Sequence, residues 1–188
     1  MTSSATRLSL VTHAVTAAMR HGRFNADESV DEGGMRELGR ATYTDRVDTV
    51  LVAPERRTQQ TAEGLGLRGA VVADLTDVDY GHWAGSTMDD VAEPDILAWL
   101  TDTATLPPDG ESIDGVLARV ARWMDRVSSQ QCRIVAVTHP AVVRAVVIHT
   151  LDAPPSSFWR VDIPPLTSTS VNFRGGRWTL RSVARTLR

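Results

Sequence analysis

The chain has 188 residues, 42% of them hydrophobic and 23% charged, with a formal net charge of −3. That length suits one α/β domain over 1–188 with a real core, and the small net charge gives no global electrostatic case for nucleic acid or an anionic membrane. All 20 basic residues are arginines, which excludes Lys-based Schiff-base or P-loop chemistry.

In chain order, Arg7 to Thr12 reads as a first strand, followed by a polar loop carrying Gly22, Asn25, Asp27 and Gly33. A helix is predicted from about Gly34 to Tyr43, a strand from Val47 to Ala53 stopped by Pro54, and a helix from Arg57 to Leu65 with Gly66 as its stop. Ala70 to Ala73 is a third strand. Beyond the Gly81–Gly85 loop, helices are expected near Met88–Leu100 and Ile113–Val127. Arg133 to Thr138 is almost wholly apolar, as a strand buried on both faces should be. Pro140 then opens a helix to Leu151. The tail alternates over Phe158–Asp162, Ser168–Phe173 and Trp178–Val183, with Gly175-Gly176 as a hairpin signal. Strand–helix alternation predicts a three-layer α/β/α sandwich with a mostly parallel central sheet and an antiparallel addition at its C-terminal end.

Cys132 is the sole cysteine, so no intrachain disulfide or Cys-rich metal site can form, and a buried structural thiol is expected. No stretch approaches a membrane span. Met1 to Thr6 lacks a basic segment leading into an apolar one, so no signal peptide is read and a cytoplasmic location is the expectation.

In a parallel sheet, ligands bind beyond the carboxyl ends of the strands, where helix N-termini point and favour anions. His13 directly follows the first strand, Arg57 begins the helix after the second, and His139 sits between the Arg133–Thr138 strand and the Pro140 helix. Two imidazoles and a guanidinium there suit a phosphate. An imidazole attacking phosphorus would form a phosphohistidine, and a carboxyl group would protonate the leaving alcohol.

The motifs resemble those of the histidine phosphatase superfamily, the phosphoglycerate mutase-like family. Thr12-His13-Ala14 stands for its Arg-His-Gly, and Ala53-Pro54-Glu55-Arg56-Arg57-Thr58-Gln59-Gln60-Thr61-Ala62 for Ser-Pro-x-x-Arg-Ala-x-Gln-Thr-Ala. Asp77-Val78-Asp79-Tyr80-Gly81-His82-Trp83-Ala84-Gly85 stands for Glu-x-x-(Phe/Tyr)-Gly-x-Trp-x-Gly, Gly110-Glu111-Ser112 is kept, and Val137-Thr138-His139-Pro140 stands for Val-x-His-Gly. The resemblance implies a phosphoglycerate mutase-like fold. It implies His13 as nucleophile, Arg57 and His139 as holders of the phosphoryl oxygens, and Asp77 as general acid, one methylene shorter than the usual Glu. Thr12, Thr16, Arg20 and Arg23 are the further substrate- or phosphate-binding candidates. No cofactor and no metal are implied.

Thr12 replaces an arginine, Ala14 a glycine, Met19 an asparagine and Pro140 a glycine. A charge-assisted hydrogen bond to an anion contributes roughly 1.5–3 kcal/mol. Its loss at Thr12 implies about ten- to a hundredfold slower turnover unless another cation substitutes, and Arg20 and Arg23 are the candidates. Arg20-His21-Gly22 spells the family tripeptide but follows no strand, so His21 is read as solvated. His82 is equally a rim or an exposed-loop residue. His149 and the helical Trp99 and Trp123 read as structural, Ser112 as a helix cap, Arg56 as solvent-facing, and Glu111 as more loop than site. Asp74, Asp77 and Asp79 lack the further ligands a metal would need.

The leading expectation is a metal-independent phosphomonoesterase acting on a small-molecule phosphate ester. The alternatives are a weak or inactive relative that binds an anion or a protein partner, and a phosphoglycerate mutase, which Arg23-Phe24 alone favours. Nothing in the sequence decides between a monomer and a homodimer.

Overall fold

Residue alternation along two central strands divides the core into two faces. A computed structural model describes residues 5–187, so Met1–Ser4 of the start read above as leaderless lie outside the described residues. In β1 (Thr6–Thr12) and β4 (Arg133–Thr138), Leu8, Leu10, Ile134 and Ala136 pack on one face with α5 (Ile113–Ser128) and α6 (Pro140–Leu151). Val11, Val135 and Val137 pack on the other with Ala62 of α3 (Arg56–Gly64). The period of two in the strands thus becomes three layers, with the sheet between helices. Helix α6 is apolar nearly all round and buries Ala141, Val142, Val143, Ala145, Val146, Val147 and Ile148, as expected of a helix with no solvent face.

The sheet has six strands in the order β3-β2-β4-β1-β5-β6, with β2 (Thr49–Val52), β3 (Ala70–Val71), β5 (Thr167–Arg174) and β6 (Arg177–Thr186) flanking the central pair. β1, β4, β2 and β3 pair in parallel; β5 and β6 add an antiparallel edge. The hairpin is made at Gly175 and Gly176, whose φ values of 61° and 80° are those a tight turn with two left-handed residues requires. Among the described residues, no helix is long and apolar enough to cross a membrane.

Several boundaries differ from expectation for local reasons. A short helix α1 (Ala17–Arg20) stands where a loop was expected, capped by the Thr16 side chain. The helix expected at Gly34–Tyr43 is α2, Glu32–Leu38, because Asp31 accepts from Gly34 N and starts it earlier. The single helix expected at Met88–Leu100 is a 3-10 turn (Met88–Asp90) followed by α4 (Glu93–Thr101), with Pro94 in the first turn of α4. Phe158–Asp162 is not a strand: Pro154 and Pro155 open a 3-10 segment (Pro155–Arg160) that buries Phe158 completely. Cys132 is half-buried rather than buried.

Candidate active site

Three elements deliver the site. His13 leaves the end of β1, its backbone N–H still donating to Thr138 O at 3.0 Å, so β1 and β4 present His13 and His139 side by side. Their rings meet edge-on, centroids 5.2 Å apart. Arg57 sits in the first turn of α3, whose buried stripe is Arg57, Thr58, Thr61 and Ala62. Thr61 Oγ1 accepts from Ala14 N at 3.0 Å, which fixes that face of α3 against the His13 turn. His139 immediately precedes α6, with Pro140 at the first helical position.

His13 Nδ1 lies 2.8 Å from Ala14 O. A carbonyl only accepts, so Nδ1 carries the proton and Nε2 keeps its lone pair. Burial, with the nearby His139 and Arg57, lowers the His13 pKa from 6.5 to about 3, so the ring is neutral over the ordinary pH range. Arg57 is pinned by Ala26 O at 2.5 Å through Nη1 and by Asp77 Oδ2 at 2.8 Å through Nη2. Asp77 Oδ2 also receives Asn25 Nδ2 at 3.2 Å and lies 3.4 Å from His139 Nδ1. Burial opposes ionisation of Asp77, but His139 and Arg57 outweigh it and hold its pKa below the ordinary value.

His139 Nε2 meets Glu55 Oε2 at 2.7 Å, so Glu55 orients the second imidazole. Burial resists the charge on Glu55, yet the bonds from His139, Thr76 and Asp77 N hold its carboxyl far below the usual range. Asn25 Oδ1 and Glu28 Oε1 lack a hydrogen-bond partner in this network, and so do three nitrogens: His13 Nε2, Arg57 Nε and His139 Nδ1. The nitrogens come from three separate elements, and His13, Arg57 and His139 are each no more than 1% exposed. Orphaned buried polar atoms are costly and call for an explanation. The Arg57 Nε–H donor and the His13 Nε2 lone pair, with His139 Nδ1 donating when its ring carries both protons, match a tetrahedral anion whose oxygens accept and whose central atom is electrophilic. Above them lies a cavity of about 440 Å³ lined by Asn25, Asp77, Tyr80, Arg144 and Asp162, among others.

The family description "Histidine phosphatase superfamily (branch 1)" matches residues 8–186. The chain belongs to this superfamily. It is 33% identical over 181 residues to the Bifunctional protein Rv2228c of Mycobacterium tuberculosis, an alignment covering 88% of this chain and 50% of that protein, so the chain spans about half the length of the curated relatives it first matches. Phosphoserine phosphatase 1 of Hydrogenobacter thermophilus is 26% identical over 168 residues, covering 81% of this chain and 80% of that one. The solved structure of the alpha-ribazole phosphatase from Shigella flexneri superposes with a TM-score of 0.84 at 23% identity, over 97% of this chain and 98% of that one, a likeness of fold.

In this member of the superfamily the structure brings His13, Arg57, Asp77 and His139 together, and gives the other candidates different partners. Thr12 Oγ1 is bonded to Pro164 O at 2.7 Å and to Thr167 N at 3.1 Å, tying β1 to the start of β5. Thr16 Oγ1 caps α1 by accepting from Met19 N. Arg20 is held 2.6 Å from Asp31, and Arg23 Nη1 donates to Gly85 O at 2.9 Å, both at exposed positions. Neither guanidinium fills the place of the arginine absent at Thr12.

The sequence reading missed three contributors. Glu55 was visible only as a variable motif position, and its reach to His139 depends on the β2–α3 turn. Asn25 carried no signal. Glu111 does more than expected. It grips Arg119 through two bonds of 3.1 and 2.8 Å, and Arg119 in turn donates to the carbonyls of Asp74, Thr76 and Asp77. Gly81 and Gly110 make that loop-to-loop approach possible: a Cβ on Gly81 would lie 2.1 Å from Pro108 O, and one on Gly110 2.6 Å from Asp79 O. Ser112 caps α5 as expected, accepting from Gly115 N at 3.1 Å. Among the acidic trio, Asp74 pairs with Arg126 and Asp79 accepts from Gly81 N, so their carboxylates serve separate partners. His21 and His82 are exposed; His82 pairs with Asp109.

Proposed function

We propose that this chain is a phosphomonoesterase acting on a small phosphorylated metabolite through a phosphohistidine on His13. The observation that carries the reading is that His13 Nε2, Arg57 Nε and His139 Nδ1, all buried in one network, lack hydrogen-bond partners. The relatives named for phosphoserine and alpha-ribazole phosphate support a small phosphate ester as substrate.

Asp77 Oδ2 now sits against Arg57, His139 and Asn25, where a phosphoryl oxygen would sit. An incoming phosphate displaces it and takes over its contacts to Arg57 and His139. The same exchange removes the charges that keep Asp77 ionised and brings negative charge beside it, so its carboxyl takes up a proton. His13 Nε2 then attacks phosphorus while the ester P–O bond breaks, and Asp77 gives its proton to the departing alkoxide. Arg57 and His139 hold the equatorial oxygens as charge spreads over them. In the second half, water attacks phosphorus, Asp77 takes back a proton, the P–N bond breaks, and inorganic phosphate leaves with His13 restored. Every charge in this sequence is met by a side chain, so no step calls for a metal.

The test is turnover of p-nitrophenyl phosphate and a panel of phosphate esters by purified protein in EDTA. Activity that vanadate inhibits supports the reading. Thr12, which brings no charge to the phosphate, favours a second reading as an anion-binding protein without turnover. Vanadate binding with no turnover of any ester would establish that instead.

A further inference from the structure

The segment that carries Asp77 has no ladder of its own. Residues 76–80 belong to no helix or strand, so their backbone groups must find partners elsewhere in the molecule. One guanidinium meets most of that need. Arg119 of α5 donates through Nη1 to Asp74 O at 2.7 Å and to Thr76 O at 3.1 Å, and through Nη2 to Asp77 O at 3.3 Å. Glu111 takes its other edge, accepting from Nε at 3.1 Å and from Nη2 at 2.8 Å, the paired geometry that fixes a guanidinium plane. The N–H of Glu111 also donates to Asp79 O at 2.8 Å, so the residue that aims Arg119 grips the chain two residues beyond Asp77. From the opposite side, Glu55 Oε1 accepts from Asp77 N at 2.9 Å and Thr138 Oγ1 donates to Leu75 O at 2.7 Å.

The N–H groups of Arg119 are thereby all engaged, one from Nε and two from each terminal nitrogen. It is half-buried, and it lines no part of the cavity above the site. It therefore has nothing left with which to hold a substrate. What it holds is the backbone of Asp77.

Phosphate entry is where that hold matters. Once phosphate has displaced the Asp77 carboxyl from Arg57 and His139, the side chain has lost the partners that placed it. Only two torsions separate an aspartate carboxyl from its backbone, so the backbone position then decides which oxygen the carboxyl can reach. A misplacement of about 1 Å at a reacting group costs on the order of 100-fold.

We propose that Arg119, aimed by Glu111, is a positioning residue for proton transfer: it fixes the Asp77 backbone while the carboxyl turns from Arg57 to the leaving oxygen. The proton passes from that carboxyl to the ester oxygen as its bond to phosphorus breaks, which leaves a carboxylate and a neutral alcohol. This deepens the phosphatase reading and rests on it.

The experiment uses p-nitrophenyl, phenyl and benzyl phosphate, which keep one ring while the leaving oxygen becomes more basic and more dependent on a proton. They are compared in the wild type, Arg119→Gln, Arg119→Lys, Asp77→Asn and the double variant Arg119→Gln/Asp77→Asn. Arg119→Gln should lower kcat/KM for benzyl phosphate by about 10- to 100-fold, part of what general acid catalysis supplies, and for p-nitrophenyl phosphate by less than about threefold. Phenyl phosphate should fall between them. Arg119→Lys, a cation that cannot span Glu111 and the carbonyls together, should recover part of the loss. In the Asp77→Asn background, Arg119→Gln should cost no more than about twofold on any of the three, because a residue that acts through Asp77 has nothing further to lose.

An equal loss on all three esters would overturn the proposal, since Arg119 would then support the phosphate contacts or the fold. So would no loss on any, or a full further loss in the Asp77→Asn background. If Arg119→Gln does not fold, Glu111→Gln is read on the same esters by the same criteria. A wild type that turns over no ester would bring down the phosphatase reading and this role with it. An active wild type whose Arg119 variants show no dependence on the leaving group would sink the positioning role alone.

Discussion

The two ends of the β1–β4 pair are built from the same strands and treat their polar groups in opposite ways. At the amino end, Thr6 Oγ1 donates to Ser128 O at 2.6 Å and accepts from Gln131 N, while Asp48 accepts from Arg133 N at 2.9 Å. Each group there has a partner. At the carboxyl end, His13, Arg57 and His139 are as buried as Thr6, yet each leaves one polar atom without a hydrogen bond. Burial normally drives polar groups to pair. An end that buries them and leaves them open is arranged for a ligand, whereas the satisfied end is arranged for stability.

Substitutions that separate the two ends sharpen that contrast. The largest effect belongs to His13→Ala, expected to lower kcat/KM at least about a thousandfold in the EDTA assay, with the urea midpoint unchanged or raised. Arg57→Gln should come next, losing activity and also stability. It leaves Asp77 buried without its ion-pair partner, a change on the order of 3–5 kcal/mol in urea unfolding. Glu55→Gln should cost about 10- to 100-fold in kcat, since a neutral amide replaces the carboxylate acceptor that orients His139. At the satisfied end, Asp48→Ala should lower stability by about 1 kcal/mol or less and leave kcat/KM alone. A large activity loss there would break the comparison.

Acid tests the same asymmetry. His13 has a folded pKa of about 3 against an ordinary 6.5, so the unfolded chain binds the extra proton between those values. The stability tied to its neutral form is present above about pH 6.5 and is lost as the pH falls below it. Asp77 and Glu55, both held below their ordinary values, lose their contribution in the same direction, at lower pH. Thermal unfolding from pH 7 to 4 should therefore fall steadily, and His13→Ala should flatten the portion between 6.5 and about 4.5. A slope identical in the variant would contradict the buried neutral imidazole.

The six sheet strands, the three layers and the placement of His13, Arg57 and His139 were legible because each depends on local signals, while Asp77 came from the family motif. Apolar runs end in a polar residue, and Pro140 opens a helix. What was not legible depends on where loops meet. Glu55 reaches His139, and Arg119 clamps the Asp77 loop, across 84 and 42 residues of sequence. Thr12 was a phosphate-contact candidate because it stands where the family has an arginine. Strand alternation turns its side chain to the opposite face, where Pro164 and Thr167 take it. The Phe158–Asp162 segment alternated like a strand, and the two prolines before it decided otherwise.

The central claim is that His13 Nε2 forms a bond to phosphorus. Rapid quench of a single turnover into alkali, where a phosphohistidine survives, followed by peptide mass spectrometry, tests it directly. The account predicts a phosphoryl group on His13 that appears before inorganic phosphate and is absent from His13→Ala. Full turnover with no phosphoprotein at any time, or a phosphoryl group that persists in His13→Ala, would contradict it.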